Sequence, residues 1–252
     1  MSSGGAHRPA AAAPEFRQRP SPNHDARPAG EPIDMLVLHY TGMRNARDAL
    51  ERLCDLEPPA GLPRVSCHYL VEEDGLVWQL VPEERRAWHA GQSFWRGHSM
   101  LNGRSIGVEI VNPGHEWGYR PFPLLQMAAV AELCLGILAR HPIPPRNVVA
   151  HGDVAPDRKQ DPGELFDWEG LASQGIGLWP EAVPGDDPAL PLQGSARAAD
   201  LLARIGYPVD AAQPRLAIEA FQRHWRQERV DGRADAGTLA RLEAVAALVE
   251  RP

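Results

Sequence analysis

Three short runs, IDMLVLHY (33–40), SIGVEIVN (105–112) and NVVAH (147–151), most constrain the fold of this chain. Each carries apolar residues at successive rather than alternate positions, the mark of a strand covered on both faces. Between the first two lies CHYLVEEDGLVWQLVP (67–82), where two apolar runs flank the turn signal Glu73-Asp74-Gly75 and predict a hairpin. After Pro123, LLQMAAVAELCLGILAR spaces its apolar residues as a helix does, and Pro142 ends it. Strands and helices alternate only loosely. The fold class expected is therefore α/β, a mixed central β-sheet with helices packed on its faces.

At 252 residues the chain exceeds the usual size of one domain. Residues 1–30 are rich in Pro, Ala, Gly and Arg without any period, and read as a flexible or surface-wrapped arm. Residues 31–180 hold the strands and the long helix. The text then becomes turn-rich, and 181–194 read as a linker. Beyond it ARAADLLARI, PRLAIEAFQRHWRQ and DAGTLARLEAVAALV predict a small C-terminal domain of three helices over 195–252, with Leu216, Ile218 and Phe221 in its core.

A net charge of −7 offers no basic face for nucleic acid. No apolar stretch approaches the roughly 20 residues of a membrane span. The N-terminal segment has arginines but no apolar core of a secretory signal. Cys54, Cys67 and Cys134 are odd in number and lack CxxC spacing, as expected of reduced thiols. These features point to the cytoplasm and leave the periplasm open.

Two of the apolar strands end in histidine, His39 and His151, and Asp161 follows in the next loop. Strand ends at one sheet edge bring distant residues together. Two His and one carboxylate leave a fourth position of a zinc ion open, which is the catalytic arrangement. A histidine at a strand end also serves as an ordinary core or surface residue, and the same holds for His68, His89 and His115. Cys67 beside His68 suggests a thiol nucleophile, but a cysteine in an apolar strand is more often a small inert hydrophobe.

Four blocks in order, LHYTG, SCHYLVEEDGLVWQLVPEERRAWHAG, NGRSIGVEIVN and HGDVAPDRKQDPG, resemble the zinc-dependent N-acetylmuramoyl-L-alanine amidases of the type-2 amidase family. The resemblance covers roughly residues 31–180. It implies one Zn²⁺ per chain, held by His39, His151 and Asp161 in an open groove. It also implies hydrolysis of the amide between N-acetylmuramic acid, or its 1,6-anhydro form, and L-alanine of the stem peptide, in cell-wall turnover and recycling. The partners implied are soluble muropeptides or the sacculus.

By the same resemblance Glu109 is the catalytic glutamate, taking a proton from the attacking water and passing it to the leaving amine. From the residues alone, an acid in an apolar strand reads rather as a structural ion-pair partner or a strand-edge residue. Lys159 is the single lysine against 25 arginines. Chance explains one codon, but a site that needs a compact ammonium instead of a wide guanidinium explains it as well. The resemblance places Lys159 opposite the oxyanion. A unit charge at ~4 Å is worth roughly 4 kcal/mol at an effective dielectric of ~20.

Tyr40, Trp88, His89 and Asn102 are candidate substrate-binding residues, with His89 equally readable as a structural histidine. Arg96 and His98 in SFWRGHSM are candidates for setting peptide preference. In the tail, the GY, FQ, DG and T positions resemble a three-helix peptidoglycan-binding domain, whose alternative is a cap that packs on the amidase. Two rival functions remain: a non-catalytic muropeptide recognition protein, and a zinc peptidase that cuts within the stem peptide.

Overall fold

The computed structural model describes residues 16–181 and 195–250. Its centre is a six-stranded sheet in the order β1 (Arg17–Gln18), β5 (Val77–Gln79), β4 (Tyr69–Val71), β9 (Ser105–Ile110), β3 (Met35–Tyr40), β10 (Val148–Ala150). The β4–β5 pair is the antiparallel hairpin expected at 67–82, and the other pairings are parallel. The sheet is therefore mixed. Two further pairs lie outside it: β2 (His24–Ala26) with β6 (Arg85–Ala87), and β7 (Phe94–Trp95) with β8 (His98–Ser99).

Alternation along β3 and β9 divides the sheet into two covered faces. Leu36, Leu38, Ile106, Val108 and Ile110 pack with Val130, Leu133, Cys134 and Ile137 of α3 (Leu124–Arg140). Met35 and Val37 face the other way, into a cluster shared with the C-terminal helices. This double burial is why IDMLVLHY lacks polar alternation. Each fully buried Leu, Ile or Val contributes about 1.5–3 kcal/mol relative to exposure. A third cluster, under α1 (Ala46–Leu53), takes Leu70 and Cys67. Asn45 caps α1 by accepting from Asp48 N–H at 2.9 Å, worth about 1 kcal/mol.

The expected flexible arm does not hold for residues 16–30. Ser21 and Asn23 are buried, and the segment adds β1 to the sheet and β2 to β6. Arg27 explains the attachment: its guanidinium donates to the carbonyls of Glu83 (2.8 Å), Gly103 (2.9 Å) and Ser105 (2.9 Å). A low-complexity composition conceals such an anchor, because the partners are carbonyls 56 to 78 residues away. The first 15 residues of the arm lie outside the described residues. So does the expected linker, apart from Glu181.

The three C-terminal helices are α6 (Ser195–Ile205), α7 (Arg215–Trp225) and α8 (Ala236–Val249). They share one apolar cluster with the sheet: Leu201, Leu202, Ile205, Phe221 and Leu242 belong with Val37, Val149 and Val154. Ile218 and Phe221 are core as expected, whereas Leu216 is 48% exposed. Gln222 ties the unit together, donating to Thr238 Oγ1 (3.1 Å) while its Oε1 accepts from Asp231 and Gly232 N–H (2.9 and 2.8 Å). The FQ, DG and T positions are thus internal scaffolding. Arg96 is also structural, donating to the Ile205 carbonyl at 2.7 Å at the end of α6. No helix among the described residues is long and apolar enough to cross a membrane.

Candidate metal centre

His39 is the penultimate residue of β3, and Glu109 is its direct neighbour in the β9 register. Parallel strands in register point partnered side chains to the same face, so an imidazole and a carboxyl stand side by side at the sheet edge. His151 does not end β10 but opens α4 (His151–Val154), where the chain turns from strand into a four-residue helix. Asp161 returns ten residues later, held by the Gly152 N–H, which donates to the Asp161 carbonyl at 2.9 Å.

Three atoms converge here. His39 Nδ1 lies 2.9 Å from His151 Nδ1, and Asp161 Oδ2 lies 3.1 Å from each. All three residues are buried, and they form a group able to hold a metal ion.

The surrounding hydrogen bonds assign the ring protons. Ser105 Oγ donates to the Leu101 carbonyl (2.8 Å), so it accepts from His89 Nε2 (3.1 Å). Burial and the neighbouring His39 keep the His89 pKa well below its usual value, so the ring is neutral. Its Nδ1 therefore accepts from His39 Nε2 at 3.0 Å. Burial and the adjacent His151 lower His39 to about 4, leaving its Nδ1 as a bare lone pair at neutral pH. His151 Nε2 donates to the Ala90 carbonyl at 3.1 Å, so Nδ1 is the nitrogen left facing Asp161 and His39.

Two ring nitrogens and a carboxylate oxygen, three potential ligand atoms, thus surround one point. Their spacing is close to the roughly 3.3 Å expected between ligand atoms of a tetrahedral zinc site with ~2.0 Å bonds. The donor set, the tautomers and the backing partners on the outer nitrogens all fit zinc.

Glu109 is half-buried, with its Oε2 shielded from solvent and without a hydrogen-bond partner. Burial, then the charge of Asp161, raises its pKa well above the usual carboxyl range, while Lys159 opposes the shift. Lys159 is exposed, and its charge also acts on His39. Cys67 is fully buried, and burial pushes its thiol up, so it is no nucleophile.

The four candidate substrate residues separate. Tyr40 stays at the rim, its hydroxyl 3.0 Å from His115 Nδ1, and burial followed by the Asp161 charge raises its pKa to about 12. His89 stands behind His39. Asn102 Oδ1 accepts from the His89 and Ala90 N–H groups (3.1 and 2.8 Å), positioning the segment that backs both His39 and His151. Trp88 is turned to structure instead, its backbone N–H donating to Ser66 Oγ at 2.9 Å. Sequence reasoning missed Ser105, Gly107 and the Ala90 carbonyl. Gly107 alone left a sign: a glycine within an apolar strand marks a close approach. Here a Cβ would sit 2.4 Å from the His89 ring.

Comparison with known proteins identifies the family. Residues 29–164 match the family described as N-acetylmuramoyl-L-alanine amidase. The chain is 42% identical to N-acetylmuramoyl-L-alanine amidase AmiD of Escherichia coli over 84% of this chain and 82% of that protein. It is 36% identical to 1,6-anhydro-N-acetylmuramyl-L-alanine amidase AmpD of Citrobacter freundii over 61% of this chain and 87% of that protein. The solved AmiD complex with anhydro-N-acetylmuramic acid-L-Ala-D-gamma-Glu-L-Lys superposes with a TM-score of 0.77, covering 87% of this chain and 91% of that one. AMPDH3 of Pseudomonas aeruginosa, 33% identical, gives 0.73 over 88% and 94%. With fold and sequence in agreement, this chain belongs to the N-acetylmuramoyl-L-alanine amidase family.

Proposed function

We infer that this enzyme hydrolyses the amide bond between N-acetylmuramic acid, in its 1,6-anhydro form, and the L-alanine of the stem peptide, with one zinc ion held by His39, His151 and Asp161. The observation that carries this reading is the convergence of two Nδ1 atoms and one carboxylate oxygen beside Glu109.

Zinc at these residues supplies Lewis acidity, polarising the amide carbonyl and making water a nucleophile at neutral pH. Glu109 takes a proton from the attacking water and delivers it to the departing alanine nitrogen. Its unpartnered Oε2 leaves an acceptor free for that proton. Lys159 brings a compact positive charge to the oxyanion side, where loss of one such partner typically costs on the order of 10²–10³ in kcat. Tyr40 and His115 line the rim that receives the peptide.

Two solved relatives carry anhydromuramyl peptides, which supports soluble muropeptides as the substrate class. Three free cysteines fit a reducing compartment and hence cytoplasmic recycling. The likeness of the C-terminal helices to a wall-binding domain supports the sacculus as a second ligand.

The test is mass spectrometry of products from anhydro-muramyl tripeptide, before and after zinc chelation. Free tripeptide and anhydro-sugar, lost on chelation and restored by zinc, are the expected result. A product cut within the peptide, or no product from zinc-loaded protein with either tripeptide or intact sacculi, overturns the reading.

A further inference from the structure

The four-residue helix α4 carries the ligand His151, the Gly152 N–H that holds the Asp161 backbone, and Asp153. A helix this short cannot hold its own shape, because nucleation costs more than one turn of hydrogen bonds returns. Its geometry must be imposed from outside.

Asp153 is where that happens. It is fully buried, and its carboxylate accepts three hydrogen bonds. One comes from its own turn, the Ala150 N–H to Oδ2 at 2.8 Å. The other two come from the C-terminal helical unit: Tyr207 Oη donates to Oδ1 at 2.6 Å, and His224 Nδ1 donates to Oδ2 at 2.6 Å. These donors are themselves fixed. Trp225 Nε1 donates to Tyr207 Oη at 3.1 Å. The His224 ring is sandwiched between Trp168 and Trp225, with centroids 3.8 and 4.0 Å away. Val154, the last residue of α4, is buried in the cluster that contains Phe221 and Leu242.

We propose that Asp153, Tyr207 and His224 form a positioning network through which the C-terminal helices hold His151 and the Asp161 loop in ligand geometry. The helical unit is thereby part of the metal centre's support, whatever else it binds. Neither Tyr207 nor His224 touches the ligands, so both are positioning residues. The inference rests on the metal-site reading above.

The test is competition for zinc between the full-length protein and a chromogenic chelator, with thermal unfolding of each variant as a check on folding. Tyr207→Phe keeps the ring and removes the donor, and His224→Leu removes the second donor. His224→Asn restores a donor near the Nδ1 position. Leu242→Ala loosens the same helical unit without touching Asp153. Supporting outcomes are zinc Kd values raised on the order of 10–100-fold in Tyr207→Phe, His224→Leu and their double variant, recovery in His224→Asn, and an unchanged Kd in Leu242→Ala. If the double variant fails to fold, Tyr207→Phe alone decides. Zinc held by Tyr207→Phe and His224→Leu as tightly as by the parent overturns the proposal, as does equal weakening in Leu242→Ala. A parent protein that takes up no zinc overturns the metal-site reading and this inference together. Normal zinc uptake with variants unaffected overturns only the coupling.

Discussion

His39 Nε2 lies 3.0 Å from His89 Nδ1, and that contact decides which nitrogen of His39 is free for a metal. His89→Leu removes the acceptor, leaving a buried N–H unpaired and the tautomer unspecified. Zinc affinity is expected to fall on the order of 10–100-fold. His89→Gln, which can accept from His39 and donate to Ser105, is expected to recover most of it. Chelator competition reads both values, and equal affinity in the Leu variant would show that His89 has no part in orienting the ligand.

Gly107 is the floor on which the His89 ring rests. Gly107→Ala places a methyl 2.4 Å from that ring, with β3 and β4 on either side of the strand. Overpacking of this kind costs about 1–3 kcal/mol. A lowered Tm together with weaker zinc binding is expected, because the displaced ring is the one that backs His39. Unchanged zinc binding in a destabilised variant would separate packing from ligand orientation.

Glu109 and Lys159 make a paired prediction about chemistry without metal loss. Glu109→Gln is expected to lower kcat on the order of 10²–10⁴ while zinc content stays at one per chain. Lys159→Arg keeps the charge but widens the cation, and kcat is expected to fall on the order of tenfold or more. Product release followed by mass spectrometry, with zinc measured on the same samples, checks both. Full activity in Lys159→Arg would mean that the only lysine in the chain is not there for its shape.

A fourth prediction concerns acid stability away from the metal. Glu83 accepts from Tyr69 (2.8 Å), Arg140 (2.7 Å) and His141 (2.7 Å). Burial alone would raise its pKa, but the bonds from Arg140, His141 and Tyr69 outweigh it and bring the value down to about 2. A carboxylate depressed in the folded state stabilises above its unfolded value and loses that contribution as pH falls. The window runs from about pH 4.5 down to about 2, and the contribution is up to about 3 kcal/mol at about 1.4 kcal/mol per unit. Glu83→Gln is expected to lower Tm at pH 7 and to flatten its fall across that window. A Tm–pH curve parallel to that of the parent would contradict this.

The strand runs at 33–40, 105–112 and 147–151 were determined by the sequence alone, because burial on both faces writes a local and continuous apolar pattern. The hairpin and the long helix are equally local. The ligand set and Glu109 were readable through their order in four blocks resembling a known family, not through spacing. The tertiary structure alone decided three things. Arg27 anchors the arm through carbonyls that have no side-chain signature. His89 and Asn102 back the ligands, since burial and hydrogen bonding behind His39 fix their direction. Asp153 joins the metal helix to Tyr207 and His224, residues 54 and 71 positions away. Buried polar groups must find partners wherever the fold brings them, and a linear pattern does not record which distant donors those will be.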